Sequence, residues 1–197
     1  MKTSFQSGDI QRLLGAQKQR VEYLSLKIPI RPEVEQVSGT GKANVYSFRN
    51  ALQFAIAQKV SDLGLYLTEI RSLLETVQRL SDADTGAEMN ATLAAAHFSG
   101  VRRRKLVETV RDGAKELKGF FSEDATPRKV YLVLATGTGS PQKSAEGKDP
   151  SVNRLWLPVS NLRGVIGTAR EASGMVVLNL GKIRERVATF ADRERER

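Results

Sequence analysis

The N-terminal stretch SGDIQRLLGAQKQRVEYLSLKIP, residues 7–29, constrains the fold more than any other part of the chain. Apolar residues recur at helical spacing over Ile10–Leu14 and again over Val21–Ile28, and Gly15 lies between the two runs. A glycine at this point predicts a tight turn, because glycine adopts a positive φ without steric strain. Pro29 then prevents the second helix from continuing. The stretch therefore predicts two short helices packed at a fixed angle.

A hairpin and two longer helices are predicted to follow this pair. Two glycines lie between β-compatible runs within residues 34–47, which is typical of a hairpin. Ser47 is a good N-cap for a helix that Gly64 would end. A further helix is predicted from Tyr66 to about Leu80, and residues 81–90 interrupt the helical pattern.

Residues 91–121 favour helix again and carry a narrow apolar seam. The seam residues recur at three- and four-residue spacing: Leu106, Val110, Ala114 and Leu117. A seam this narrow needs another element to cover it. The covering element is either a second copy of the chain, which would make a dimer, or another part of this chain.

The pattern changes from helical to extended after residue 126. Strands are predicted at Val130–Thr136, Arg154–Val159 and Met175–Leu180, with a helix over Ser160–Ala172 and a charged amphipathic helix closing the chain. This order predicts a small C-terminal α/β domain. The whole chain is then an α+β protein with an N-terminal domain at 1–80, a helical segment for dimerisation or linkage at 81–125, and the C-terminal domain at 126–197.

Composition excludes several kinds of function. The chain has no cysteine and one histidine, which excludes disulfides, thiolate metal sites and cysteine nucleophiles, and we expect no cofactor. We find no arrangement of residues that supports catalysis. No window approaches 18 uninterrupted apolar residues, and the N-terminus lacks a secretory apolar region. We therefore expect a cytoplasmic protein without a membrane partner.

The charge distribution points to a polyanionic partner. The chain has 31 Lys and Arg against 22 Asp and Glu, a formal net charge of +9. Residues 1–60 carry a surplus of five positive charges, residues 61–130 none, and residues 131–197 a surplus of four. Basic ends around a neutral middle favour nucleic acid as the partner.

The helix pair has the residues that a helix-turn-helix uses to read DNA. Leu13, Leu14, Val21 and Leu24 would lock the two helices together, and polar or basic side chains begin the second helix. Glutamine pairs with adenine, arginine and lysine pair with guanine, and a helix N-terminus attracts phosphate. The hairpin would be a wing on the DNA backbone or minor groove. On this basis we assign DNA contact to seven residues: Gln17, Lys18, Gln19, Arg20, Lys27, Lys42 and Asn44.

The segments GDIQRLLG, VEYL, VYS and DLGLYLTEIRSLL, in this order over residues 5–77, resemble the MerR family of winged helix-turn-helix proteins. The resemblance implies a DNA-binding domain of two reading helices, a wing and a second helix pair, within a dimeric regulator. It also implies phosphate contact by Tyr23. Two positions depart from the family, because Glu22 and Asn44 stand where arginines usually approach phosphate. Arg20 and Lys42 lie nearby and could replace them.

The sequence thus predicts a sequence-specific double-stranded-DNA-binding protein, a dimeric bacterial transcription regulator associated with the nucleoid. The C-terminal domain would oligomerise or bind a small-molecule or protein effector. One alternative is an architectural DNA-binding protein of plasmid or phage partition or excision. Another is a nucleotide enzyme that uses the loop GTGSPQKS, residues 137–144. A phosphate-binding loop needs glycine before its lysine, and Gln142 occupies that position, so we expect a surface loop.

Overall fold

The computed structural model of the protein describes residues 4–28, 30–32, 44–82, 103–123, 129–137, 154–162 and 172–196. Within these ranges the fold is mixed α+β, as the sequence predicts. The elements in chain order are β1 (Ser4–Gln6), α1 (Ser7–Leu14), α2 (Lys18–Lys27), β2 (Val45–Ser47), α3 (Phe48–Asp62), α4 (Leu67–Asp82), α5 (Arg103–Leu117), β3 (Tyr131–Gly137), β4 (Arg154–Val159), β5 (Ala172–Asn179) and α6 (Leu180–Arg195). No helix in the described ranges is long and apolar enough to cross a membrane.

The chain divides into two structural units. The helical unit comprises Met1–Gln78, Gly119–Pro127 and Gly181–Arg197, and the sheet unit comprises Arg79–Lys118 and Arg128–Leu180. This division differs from the domains expected from the sequence, because the closing helix belongs to the N-terminal part and not to the strands that precede it. The sequence of a short amphipathic helix indicates which face is apolar, but it does not indicate against which core that face packs.

The first two helices begin earlier than their apolar runs indicate. α1 begins at Ser7 because Gln6 and Asp9 form a capping box, in which the Gln6 amide donates to Asp9 Oδ2 at 2.8 Å. α2 begins at Lys18, and its N-cap Gln17 has extended geometry. Polar first turns of this kind do not contribute to an apolar period, so the apolar run alone places the start of α1 too late. The start of α2 agrees with the polar and basic residues that the sequence places at the beginning of this helix.

A two-stranded antiparallel sheet joins the chain start to the region before α3. β1 pairs with β2, and Phe5 lies opposite Tyr46. The sequence does not predict β1, because three residues are too few to establish a period. The run that ends at Ser47 was expected to pair within a hairpin. In the described residues that run pairs with β1, while residues 33–43, which hold most of the expected wing, lie outside them.

The boundaries of α3 are confirmed. The Asn50 amide donates to Ser47 Oγ at 3.2 Å, which is the predicted N-cap. Gly64 follows the helix at φ +77°, a backbone conformation that favours glycine. The next helix, α4, continues through Asp82, two residues beyond its expected end. Tyr46 packs edge-to-face on Phe54, with ring centroids 5.2 Å apart, within the core of this unit.

The sheet unit is a three-stranded antiparallel sheet of order β4-β3-β5 with α5 against β4. All three predicted strands are present. Val110 of α5 packs on a cluster of buried sheet residues: Val133, Leu157 and Val159. The part of the predicted seam that the structure describes is therefore covered by this chain's own sheet. Trp156 is buried in β4.

Several predicted features fall outside the described residues. Most of the linker at 81–90, the start of the helix predicted over 91–121, and most of the helix predicted over 160–172 are among them. The loop at 137–144 is described only at Gly137, the last residue of β3.

Candidate nucleic-acid interface

The turn between α1 and α2 has the geometry that the sequence predicts. Gly15 has φ +63°, and its amide donates to the Arg12 carbonyl at 3.3 Å. The Ala16 amide donates to the Gln11 carbonyl at 3.0 Å, which closes the helix end. A side chain at Gly15 would be strained by the positive φ although nothing lies within 4 Å of it. The turn thus fixes where α2 begins.

One face of α2 is buried and the other is exposed. Val21 and Leu24 are 2% and 0% exposed and hold the helix to the core of the helical unit. Gln17, Lys18 and Gln19, at the start of the helix, are all exposed. An exposed helix start with a buried rear face is the arrangement that places side chains against a DNA groove.

Lys18 forms an ion pair along the exposed face of α2. Its Nζ lies 3.6 Å from Glu22 Oε1, and both side chains are more than half exposed. An exposed pair of this kind contributes little to stability, about 0.3–0.5 kcal/mol. The Glu22 carboxylate therefore offsets one of the positive charges on this face.

Arg20 is half-buried, and its guanidinium is bound by side chains of this chain. Its Nε donates to Gln58 Oε1 at 3.2 Å, its Nη2 donates to Ser61 Oγ, and its guanidinium lies 5.7 Å from the Tyr23 ring centroid. Gln58 and Ser61 belong to α3, so the side chain links α2 to α3. The base-edge contact predicted for Arg20 would require it to leave these partners. Its contacts support a positioning role.

We expect Arg20→Ala to lower the free energy of unfolding by about 1–2 kcal/mol, because two hydrogen bonds between α2 and α3 disappear. Urea denaturation measures this loss. The control is Lys18→Ala, which removes only an exposed ion pair and should change the free energy by less than about 0.5 kcal/mol. If Arg20→Ala leaves the free energy of unfolding unchanged but alters base preference, Arg20 contacts a base edge and does not position α2.

Two further predicted residues lie beside the exposed face. Tyr23 is 41% exposed and lies against Arg20, where a phosphate could still meet its hydroxyl. Lys27 has an exposed side chain, while its backbone carbonyl accepts from Arg71 Nε at 2.8 Å and from Arg71 Nη2 at 2.5 Å. Arg71 therefore fixes the end of α2 to α4, a contact between distant parts of the chain that no local pattern indicates.

The wing residues are only partly described. Lys42 lies outside the described residues. Asn44 is half-buried, and its Nδ2 donates to the Tyr46 hydroxyl at 3.5 Å. The structure therefore brings six of the eight predicted residues together on or beside α2, and Asn44 directly precedes β2.

The closing helix α6 packs against α1, a contact that the sequence does not predict. Arg186 Nη2 donates to the Leu13 carbonyl at 2.8 Å, next to the turn. Phe190 stacks on Phe5 with ring centroids 6.4 Å apart. The sequence gives one signal for this packing, the helical spacing of the apolar residues of α6, of which Val187 and Ala191 are fully buried.

An ion cluster joins the start of α1 to the end of α6. Arg12 Nη2 donates to Asp9 Oδ1 at 2.5 Å and to Glu194 Oε2 at 2.7 Å. The hydrogen bond to Glu194, together with the charges of both carboxylates, raises the pKa of Arg12 above its ordinary value. One arginine against two carboxylates leaves the cluster with a formal charge of −1, so it adds no net positive charge to the surface.

Nothing in the described ranges forms a metal site, because they hold no group of three or more His, Asp or Glu side chains close enough to share an ion. The sequence of the chain matches no protein-family model and no curated protein. The assignment of function therefore depends on the residues themselves.

Proposed function

We propose that this protein is a sequence-specific double-stranded-DNA-binding protein, a dimeric bacterial transcription regulator of the MerR type. The observation that carries the proposal is the exposed start of α2. It follows a positive-φ glycine turn and is held to the core by Val21 and Leu24. A helix presented in this way, on a chain with a net charge of +9, is suited to a major groove lined by phosphates.

Within this proposal the residues of α2 have separate roles. Gln17 and Gln19 would read base edges, since their amides can donate and accept at once, as adenine requires. Lys18 would neutralise phosphate and supply affinity without sequence choice. Arg20 would set the angle of α2, and Tyr23 would contact the backbone.

The proposal includes a dimer and a role for the sheet unit. Two copies on a palindromic site would double both the phosphate contacts and the base contacts. Because the described part of the α5 seam is covered by its own sheet, the dimer would need another surface, which we assign to the sheet unit. The same unit would bind an effector, and the protein would act at the nucleoid in the cytoplasm.

The test is recovery of bound DNA. The purified full chain is mixed with sheared bacterial genomic DNA at near-physiological salt, and the bound fragments are sequenced. A single palindromic motif upstream of a few genes is the expected result. Clustered repeats would favour an architectural protein of partition or excision. No enrichment of any sequence would overturn the proposal.

Variants of neighbouring residues on α2 separate reading from affinity. Gln19→Ala should broaden base preference at one position of the site, at a cost of about 1–3 kcal/mol against the preferred base. Lys18→Ala should instead weaken binding to all sequences alike and reduce the salt slope by about one unit. Selection from randomised duplexes and binding titrations across salt concentrations measure the two effects. A sequence-dependent loss in Lys18→Ala would contradict its phosphate role.

A further inference from the structure

One exposed face of α6 carries a stripe of basic residues. Lys182, Arg186, Thr189 and Arg193 follow one another at spacings of four, three and four residues, so they lie along one side of the helix. The buried side of α6 is different, and it includes Val187, Ala191 and Arg184. We call the three cations Lys182, Arg186 and Arg193 the cationic stripe.

The cationic stripe borders an open groove between α6 and α1. The groove has a volume of about 550 Å³, and Leu13 and Phe190 contribute its apolar part. The cationic stripe, Thr189 and Arg12 also line it, and Glu185 is the one carboxylate among the lining residues. All of these residues belong to the helical unit.

The groove keeps a positive formal charge when the charged residues around it are counted. Arg12 together with Asp9 and Glu194 has a formal charge of −1, and the side chains of the two carboxylates are buried, at 8% and 7% exposed. Arg186 donates to the Leu13 carbonyl, which is a neutral partner, so its charge remains. The cationic stripe adds three positive charges and Glu185 adds one negative charge, so the groove has a formal charge of +1 and its exposed charges are mostly positive. A polyanion is the partner that such a surface attracts.

The length of the cationic stripe fits a DNA strand. Lys182 and Arg193 are eleven residues apart, which is about 16 Å along a helix. One strand of duplex DNA carries a phosphate for about every 3.4 Å of axis, so the stripe spans about five phosphates. A small-molecule anion would meet only one or two of these cations.

The cationic stripe also lies next to the proposed reading surface. Arg186 binds the carbonyl of Leu13, two residues before Gly15, and the turn at Gly15 leads into the exposed start of α2. We propose that the cationic stripe is a second DNA-contacting surface, on which α6 binds backbone phosphates beside the site that α2 reads. This inference rests on the proposed DNA binding.

The test compares the salt dependence of DNA binding in full-length variants. The probe is a 30-bp duplex of random sequence, so that only backbone contacts are measured. The double variant Lys182→Ala/Arg193→Ala should bind at least tenfold more weakly near 0.1 M salt, and its slope of log K against log salt should be smaller by about two units. Arg186 is left in place because it also caps α1.

Arg195→Ala is the matched control. Arg195 is exposed on the same helix but does not line the groove, so its loss removes one charge without touching the cationic stripe. Alanine favours helix at all three positions, and equal melting temperatures would show that the variants fold alike. The control should change the slope by much less than one unit.

The outcomes separate the two proposals. If the wild-type chain binds duplex DNA and the double variant keeps its slope, the cationic stripe is not a DNA surface, although the function stands. An equal change in the control would also overturn the inference, since net charge alone would then explain it. Failure of the wild-type chain to bind any duplex would overturn both.

Discussion

Replacing Arg184 with methionine is expected to lower the free energy of unfolding by about 3 kcal/mol. Arg184 is 2% exposed, and its guanidinium donates to three backbone carbonyls, those of Phe120 at 3.0 Å, Ser122 at 2.5 Å and Glu123 at 3.4 Å. It also lies 5.4 Å from the Phe48 ring centroid. Burial lowers the pKa of Arg184 from its ordinary value, yet arginine stays protonated in proteins.

The expected loss of stability is large because methionine fills the space of Arg184 but donates no hydrogen bonds to the carbonyls. The segment 120–123 has no regular structure of its own to satisfy its carbonyls. Leaving a buried acceptor unsatisfied costs about 1–3 kcal/mol. Arg184→Lys should be intermediate, since lysine keeps the charge but lacks the planar fork that reaches several carbonyls at once.

Chemical denaturation of the full chain measures this effect. Arg195→Met on the same helix is the control and should change the free energy of unfolding by less than about 0.5 kcal/mol, because the residue is exposed. A loss below about 1 kcal/mol in Arg184→Met would mean that the three carbonyls find water or other donors. The cationic stripe depends on this anchor, because Arg184 fixes the helix that carries it.

Gly113→Ala is expected to destabilise the sheet unit by about 2–3 kcal/mol, although alanine is the better helix former. Gly113 is a buried residue of α5, and a Cβ there would lie 2.5 Å from the Pro158 carbonyl carbon and from Val159 Cα. Helix propensity favours alanine over glycine by about 1 kcal/mol. Overpacking typically costs about 1–3 kcal/mol and occasionally more. Because the Cβ would lie 2.5 Å from backbone atoms, which cannot rotate away, we expect a cost of about 3–4 kcal/mol here, which exceeds the gain from helix propensity.

Gly8→Ala is the control for this prediction. Gly8 also lies in a helix, but a Cβ there would meet only the Arg12 side chain, at 3.9 Å. Its replacement should be neutral or stabilising by up to about 1 kcal/mol. Thermal unfolding of both variants against the wild type measures the pair. Equal stability in Gly113→Ala would show that α5 can move away from β4 at little cost.

Local signals explain what the sequence predicted correctly. The Gly15 and Gly64 turns and the Ser47 cap involve neighbours within a few residues, so the residue type alone indicates the geometry. The three strands of the sheet unit were found for the same reason, because each is a continuous run of β-favouring residues. The exposed start of α2 also followed from the spacing of its apolar residues.

The features that sequence reasoning missed depend on distant partners. β1 is too short to show a period and exists because β2 lies beside it. The position of Arg20 in α2 predicts contact with a base. Only the positions of Gln58 and Ser61 show that its guanidinium is already hydrogen-bonded within the protein. Arg71 and Arg186 act on carbonyls far away in the chain, for which a sequence has no signature.

The sequence by itself determined the turn, the two faces of α2, the strands and the charge that points to a polyanion. Only the tertiary structure decided that α5 packs on the sheet of its own chain. It also decided that α6 packs against α1 and not against the strands that precede it in the chain. The cationic stripe lies on α6. Periodicity records which face of an element is apolar, because that depends on residues one turn apart. The element against which this face packs depends on the complementary shape of the two surfaces and on polar groups far away along the chain. It is therefore decided only when the core is packed.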